Sequence, residues 1–415
     1  MERTHRKSPS FLRRLAIAVV AASLLAAGIA GCGDDDSDNT VAKSGTPAGE
    51  QQGQAASEKT SDHSPIKIGV ILSYTGPFGL YGKPMETVLR ARLAKAGDEA
   101  GGRPIELIFE DDATDANSAV SKATKLVEQD KVAAVVCCVG GAATLAVGPV
   151  LAEKKIPQLG PIPNPAGLEK YATAAMAAPT AGHDATELGT YAAKKLGYKT
   201  AVVVASDFSY GHEVADGFKK GFTDAGGKVV QDVFAPLGTA DFGSYLSRVE
   251  DADVAFGGFA GADAIKFVQQ YQQFGVKKRM PLIGHGPLVT ELVLKAIGDA
   301  AQDVGAGFYY SSTLKTPDNT AFLDALKPTP QVIPSHFTAG AWATGSVLID
   351  AINRMKGDVS DGLALAKAIR ATNIPAPWGT LKFDTSTGYA EAPTYYYVVK
   401  GAGATLHHEI VEEMS

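Results

Sequence analysis

Two glycines, two alanines and a threonine close the apolar run Val135-Val136-Cys137-Cys138-Val139-Gly140-Gly141-Ala142-Ala143-Thr144. The run suits a buried strand. Thr144 opens a segment with Leu145, Val147, Val150 and Leu151 at helical spacing. A strand that ends in small residues at a helix N-terminus presents backbone N–H groups and the positive end of the helix dipole. The chemistry this predicts is retention of an anion such as a carboxylate. The same pattern also serves as a tight turn with no ligand.

Reactive constellations are otherwise scarce. Gly82-Lys83-Pro84 lacks the glycine spacing and the Ser/Thr of a phosphate loop, and no G-x-S-x-G elbow occurs. His212-Glu213 is not followed by the second histidine of a zinc-protease helix, and His407-His408 has no cysteine nearby. We assign no catalytic residue, no metal ligand and no cofactor. Cys137 and Cys138 are adjacent, which suits neither zinc nor an ordinary disulfide. A vicinal disulfide is one reading and two buried thiols in a strand the favoured one. The formal charge of -6 over 415 residues becomes -10 once the net +4 of residues 1–31 is set aside. With no basic stripe, a nucleic-acid partner is not expected.

The N-terminus reads as an export signal. Arg13-Arg14 ends a basic region, an uncharged apolar run follows from Leu15, and Ile29-Ala30-Gly31-Cys32 closes it. Small residues before a cysteine resemble a bacterial lipobox, which predicts a leader over 1–31 and lipidation of Cys32. Residues 32–64 are rich in Asp, Ser, Gly, Gln and Thr and poor in large apolar residues. Such a segment cannot offset its chain entropy and is expected to be a disordered tether. Together these predict an extracytoplasmic protein, lipid-anchored to the outer face of the cell membrane or periplasmic.

The elements that must position a site follow. Ile66–Leu72 reads as the first strand, a helix is expected over Lys83–Ala100, Ile105–Glu110 is a strand, and Asn117–Asp130 an amphipathic helix. Val132–Val136, a helix at Leu145–Lys154 and the strand Ile156–Leu159 complete a first α/β unit. The pattern restarts past Pro179, with strands at Thr200–Ala205, Lys228–Phe234, Val254–Phe259, Pro281–Gly284 and Gly305–Tyr310 separated by helices. A long helix is expected over Phe337–Met355, another over Gly362–Ala371, and then a β-rich tail. Alternation of this kind predicts an α/β fold with parallel sheets, and a ligand cleft beyond the carboxyl ends of the strands.

Several of these pieces are similar to the leucine/isoleucine/valine-binding proteins, type I periplasmic binding proteins that serve ABC importers. They are Ile66–Val70 with Thr75-Gly76-Pro77 and Tyr81-Gly82, Asp111-Asp112 with Asp115 and Ala119-Val120, Ile156-Pro157, Asp207 to Gly211, and Gly257-Gly258-Phe259. The resemblance covers nearly all of residues 65–415. It implies two Rossmann-like lobes with parallel central sheets joined by three crossing strands, one lobe from 65–181 and 312–375, the other from 182–311 and 376–415. It further implies a monomer that closes on a small-molecule solute and then engages an ABC permease.

Position by position, the resemblance implies a site built from Tyr81, from Gly141, Ala142, Ala143 and Thr144 around the ligand carboxylate, and from Ile162 and Asn164. Tyr210 and Phe259 would face them from the second lobe, with His285 and Gly286 near the family's acidic partner for a ligand ammonium. Gly141 replaces the family's usual serine, and no Asp or Glu stands at Gly286. The expected solute is a small carboxylate of the branched-chain amino acid class. The alternatives are an aromatic carboxylate or amide, for which Phe78, Tyr81, Tyr210, Phe259 and Phe337 would suit a flat body, or a sensor using the same cleft.

Overall fold

Continuous apolar runs become the central strands, as expected where a parallel sheet is covered on both faces. The computed structural model describes residues 63–163 and 166–414. The expected leader, Cys32 and Asn164 lie outside the described residues, as does all of the expected tether but His63 and Ser64. The first sheet is built from β1 (Ile66–Leu72), β2 (Glu99–Ala100), β3 (Arg103–Asp111), β4 (Ala134–Cys137), β5 (Gln158–Gly160) and β6 (Ala174–Met176), in the order β2-β3-β1-β4-β5-β6. All pairs are parallel except β2 with β3. Helices α1 (Gly79–Ala94), α2 (Ala116–Glu128) and α3 (Gly141–Glu153) connect its strands.

After β6 the chain passes through α4 (Ala181–Lys194) into β7 (Thr200–Asp207), α5 (Ser209–Asp224), β8 (Lys228–Pro236), α6 (Gly243–Leu246), β9 (Val254–Gly258), α7 (Gly261–Gln273), α8 (Val276–Arg279), β10 (Leu282–His285), α9 (Glu291–Ile297) and β11 (Gly305–Phe308). It returns through α10 (Pro317–Leu326) to α11 (His336–Arg354), which packs on α1, and then α12 (Gly362–Arg370). Strands β12 (Asn373–Ala376), β13 (Gly379–Phe383) and β14 (Ala390–Glu391) form a small antiparallel sheet, bridged to β6 by Met176 and Tyr389. Finally β15 (Tyr395–Lys400) and β16 (His407–Glu413) join the second sheet, ordered β16-β15-β11-β10-β9-β7-β8. Two lobes with mostly parallel sheets are thus linked by three passages of the chain.

Local chemistry moves several boundaries. The helix expected to reach Ala100 stops at Ala94, because Gly97 takes φ 81° and the Asp98 amide bonds back to the Leu93 carbonyl; Gly101 and Gly102, also at positive φ, then turn Glu99-Ala100 back against Arg103-Pro104. Helix α3 starts at Gly141, four residues before the expected Leu145, with Gly140 as its N-cap. Strand β9 ends at Gly258, so Phe259 lies beyond it. Cys137 and Cys138 are fully buried and paired as a vicinal disulfide, where the favoured expectation is two free thiols.

The acidic motif Asp111 to Asp115 is scaffold. Asp111 accepts from the Tyr74 and Ala113 amides and from the Thr75 hydroxyl, Asp112 accepts from Ser73 Oγ and the Thr114 amide, and Asp115 caps α2 at Ser118. These bonds tie the loop after β3 to the loop after β1, which carries part of the site.

Candidate functional site

In each lobe the helix that follows the first strand, α1 after β1 and α5 after β7, carries a Tyr-Gly pair in its first turn. A Cβ on Gly82 would collide with the Ser73 carbonyl oxygen at the end of β1, and one on Gly211 with the Ser206 carbonyl near the end of β7. Glycine lets both helices seat directly on the strand ends, and the preceding Tyr81 and Tyr210 both line one cavity. That cavity is lined from the first lobe by Phe78, Tyr81, Val139, Gly141, Ile162 and Pro163. From the second come Tyr210, Ala260, His285, Pro287 and Phe308, and from the start of α11 His336 and Phe337. Almost all lie just past the carboxyl end of a parallel strand, where an open α/β sheet binds its ligand.

The wall is aromatic and interlocked. The Tyr81 ring stacks on Phe337, centroids 3.6 Å apart. Phe308 meets His285 and His336 edge-on at 4.7 and 4.6 Å. Ser335 and Thr338 form a capping box that fixes the first turn of α11 and with it His336 and Phe337. The Tyr81 hydroxyl accepts the Gly261 amide at 2.7 Å, a buried bond from α1 to the first residue of α7 in the other lobe. Gly261 has φ 63°, and a Cβ there would lie 2.7 Å from the Pro77 carbonyl oxygen across the cleft.

Among the described residues, no Asp, Glu, Lys or Arg lines the cavity. Its polar groups are the Tyr81 and Tyr210 hydroxyls, two imidazoles and the backbone at Gly141. Burial raises both phenols above their ordinary range, so they remain neutral. Burial also pushes His336 down to about 3, an effect that His285 and His408 add to and Glu291 opposes. Behind His285 lies a fully buried carboxylate, Asp184, with Oδ2 3.7 Å from Nε2. No group of three or more His, Cys, Asp or Glu able to hold a metal occurs among the described residues.

Of the residues expected at the site, Tyr81, Gly141, Ile162, Tyr210 and His285 line this cavity. Ala142, Ala143 and Thr144 do not. Because α3 begins at Gly141, Thr144 falls one turn inside the helix, fully buried, and its hydroxyl donates to the Gly140 carbonyl at 3.1 Å. Phe259 belongs to the core, edge-on to Phe242 at 5.2 Å and packed on Phe267 at 4.4 Å. Gly286 sits between two lining residues and abuts the Phe308 ring. Val139, Pro163, Ala260, Pro287, Phe308 and His336 were not anticipated. Reading the first residues past every strand end would have found most of them, since Phe308 ends β11 and Ala260 follows β9 closely.

The chain matches the periplasmic binding protein family model over residues 65–404. It is 27% identical over 363 residues to the Leu/Ile/Val-binding protein homolog 6 of Brucella melitensis, covering 84% of this chain and 91% of that one. An ABC transporter substrate-binding protein from Sphaerobacter thermophilus is 31% identical, covers 84% of this chain and 97% of its own, and superposes with a TM-score of 0.77. A solute-binding protein of an ABC transporter from R. palustris, solved with 4-hydroxybenzoate, is 26% identical, covers 84% and 96%, and has a TM-score of 0.79. With this match, the two-lobed fold and a cavity at the strand ends of both lobes, the chain belongs to the type I periplasmic binding proteins of the leucine/isoleucine/valine-binding family, and its relatives are solute-binding proteins rather than enzymes.

Proposed function

We propose that the protein is the extracytoplasmic, lipid-anchored solute receptor of an ABC importer, and that its solute is a small aromatic carboxylate. One observation carries the choice of solute: the cavity is walled by aromatic rings, with no carboxylate on it among the described residues to pair a ligand ammonium. Burying an ammonium without a partner costs several kcal/mol, on the order of 5, whereas a benzoate-type ligand brings only an anion and a flat apolar body. The backbone at Gly141, at the N-terminus of the 13-residue helix α3, would receive the anion, and Gly140 caps that helix without a side-chain hydrogen bond. Phe78, Tyr81, Phe308 and Phe337 would enclose the ring. The R. palustris relative solved with 4-hydroxybenzoate supports this reading.

Branched-chain amino acids are the second reading, supported by the name of the Brucella relative. A thermal-shift panel separates the two. On the first reading, benzoate and 4-hydroxybenzoate raise the melting temperature while leucine, isoleucine and valine do not. A ligand at a hundred times its dissociation constant stabilises by about 2.7 kcal/mol, well within detection. A shift with leucine alone would replace the first reading by the second, and a panel with no shift would remove both. Closure of the lobes on the solute would then present a surface to the membrane permease.

A further inference from the structure

Two buried polar atoms without a hydrogen-bond partner face each other behind the cavity wall. They are Asp184 Oδ2 and His285 Nε2, 3.7 Å apart, in side chains no more than 1% exposed. Asp184 lies in the first turn of α4, and its other oxygen accepts from Thr394 Oγ1 at 2.8 Å. On the far side of the imidazole, His285 Nδ1 is 2.8 Å from the Tyr210 hydroxyl. Tyr210 and His285 both line the cavity, and Asp184 does not.

The polarity of this chain follows from its buried end. An ionised carboxylate only accepts hydrogen bonds, and a neutral imidazole has one donor and one acceptor nitrogen. Asp184 therefore draws the imidazole proton to Nε2 and leaves Nδ1 as the acceptor. The one O–H of Tyr210 is then committed to Nδ1. What Tyr210 offers the cavity is an oxygen lone pair, an acceptor. His336, the other imidazole on the wall, does not reverse this: burial keeps it neutral, and its Nδ1 is occupied by Thr290 at 3.3 Å.

We infer that the Asp184–His285–Tyr210 chain sets the hydrogen-bond polarity of the second-lobe wall, and that it selects aromatic carboxylates bearing a hydroxyl donor at the end of the ring remote from the carboxylate. The inference rests on the aromatic-carboxylate reading above. It adds a second contact to it: an acceptor-bearing end at Gly141 in one lobe, and a donor-bearing end at Tyr210 in the other. Tyr210 is the specificity-determining residue. Asp184 is a positioning residue that never meets the ligand and acts by fixing the tautomer.

The test uses the folded mature protein with three probes, 4-hydroxybenzoate, 4-fluorobenzoate and benzoate. Fluorine approximates the size of the hydroxyl and cannot donate. Calorimetry on the wild type is expected to show 4-hydroxybenzoate binding about tenfold tighter than the other two, the size of one neutral hydrogen bond. In Tyr210→Phe the three affinities converge. The ¹⁵N spectrum of selectively labelled histidine is expected to show His285 as the Nε2–H tautomer in the wild type. In Asp184→Asn, with folding checked by thermal melting, the Nδ1–H form appears and the preference for 4-hydroxybenzoate shrinks.

An Nδ1–H tautomer or an imidazolium in the wild type would overturn the inference, as would equal affinity for the three probes. So would a spectrum and a preference unchanged in Asp184→Asn. Failure of all three probes to bind, with leucine binding, is failure of the aromatic-carboxylate reading, and the wild-type histidine spectrum still decides the tautomer.

Discussion

Removing the Tyr81 hydroxyl tests the bond that joins the lobes. In Tyr81→Phe the ring keeps its stacking on Phe337, 3.6 Å between centroids, but the Gly261 amide loses its acceptor at 2.7 Å. Gly261 opens α7, so that amide has no carbonyl of its own helix to turn to. A buried donor left without a partner costs about 1–3 kcal/mol. The cost falls only on the state in which the lobes meet, so it appears as lost affinity, a factor of about 5 to 150 at 1.4 kcal/mol per tenfold. The melting temperature of the ligand-free protein changes little by comparison. Calorimetry with the solute and melting without it separate the two effects. Gly261→Ala guards against a direct ligand contact by the hydroxyl, because Gly261 does not line the cavity. Its Cβ would press on Pro77 from the opposite lobe at φ 63°, and it is expected to weaken binding in the same direction. Unchanged affinity in both variants, or equal losses of stability with and without ligand, would refute the latch.

Other consequences follow from the same geometry. Gly211→Ala drives a Cβ into the Ser206 carbonyl, and urea unfolding is expected to show a loss of about 2 kcal/mol or more. The pH dependence has a definite sign. The folded state holds His336 at about 3 against an ordinary 6.5, so the unfolded chain binds the extra proton and stability falls as pH drops from about 6.5 toward 3. Glu291 adds a loss in a lower window. Burial pushes its carboxyl up, but His408 and the Ser312 amide outweigh that and hold it at about 2. Chemical denaturation between pH 6 and 4 should show the slope, and His336→Gln should flatten it by up to about 1.4 kcal/mol per pH unit. Finally, Cys32→Ser is expected to release the protein from the membrane fraction, and persistent association would contradict the proposed lipid anchor.

What the sequence disclosed and what it hid divide along physical lines. Buried parallel strands are legible because they are runs, and Ile66–Leu72 and Thr200–Asp207 stand out from their flanks. Tyr81 and Tyr210 are legible because each precedes a glycine at a strand-to-helix turn. Thr144 misleads because its place depends on where α3 begins, and the early start at Gly141 turns the hydroxyl back on Gly140. Phe259 misleads by the same narrow margin: one residue past β9 it enters the core, and the next, Ala260, reaches the cavity. Asp184 and His336 carry no local signal. Only the packing of α4 behind β10, and the return of the chain through α11, brings them to the site.

The central claim is that this cavity takes an aromatic carboxylate and not a zwitterionic amino acid. Titration calorimetry of the protein with benzoate and with leucine under one set of conditions tests it most directly. Saturable binding of benzoate, with no measurable heat from leucine, is the result predicted by the cavity's rings and by the lack of a lining carboxylate among the described residues. Saturable binding of leucine with none of benzoate would contradict it.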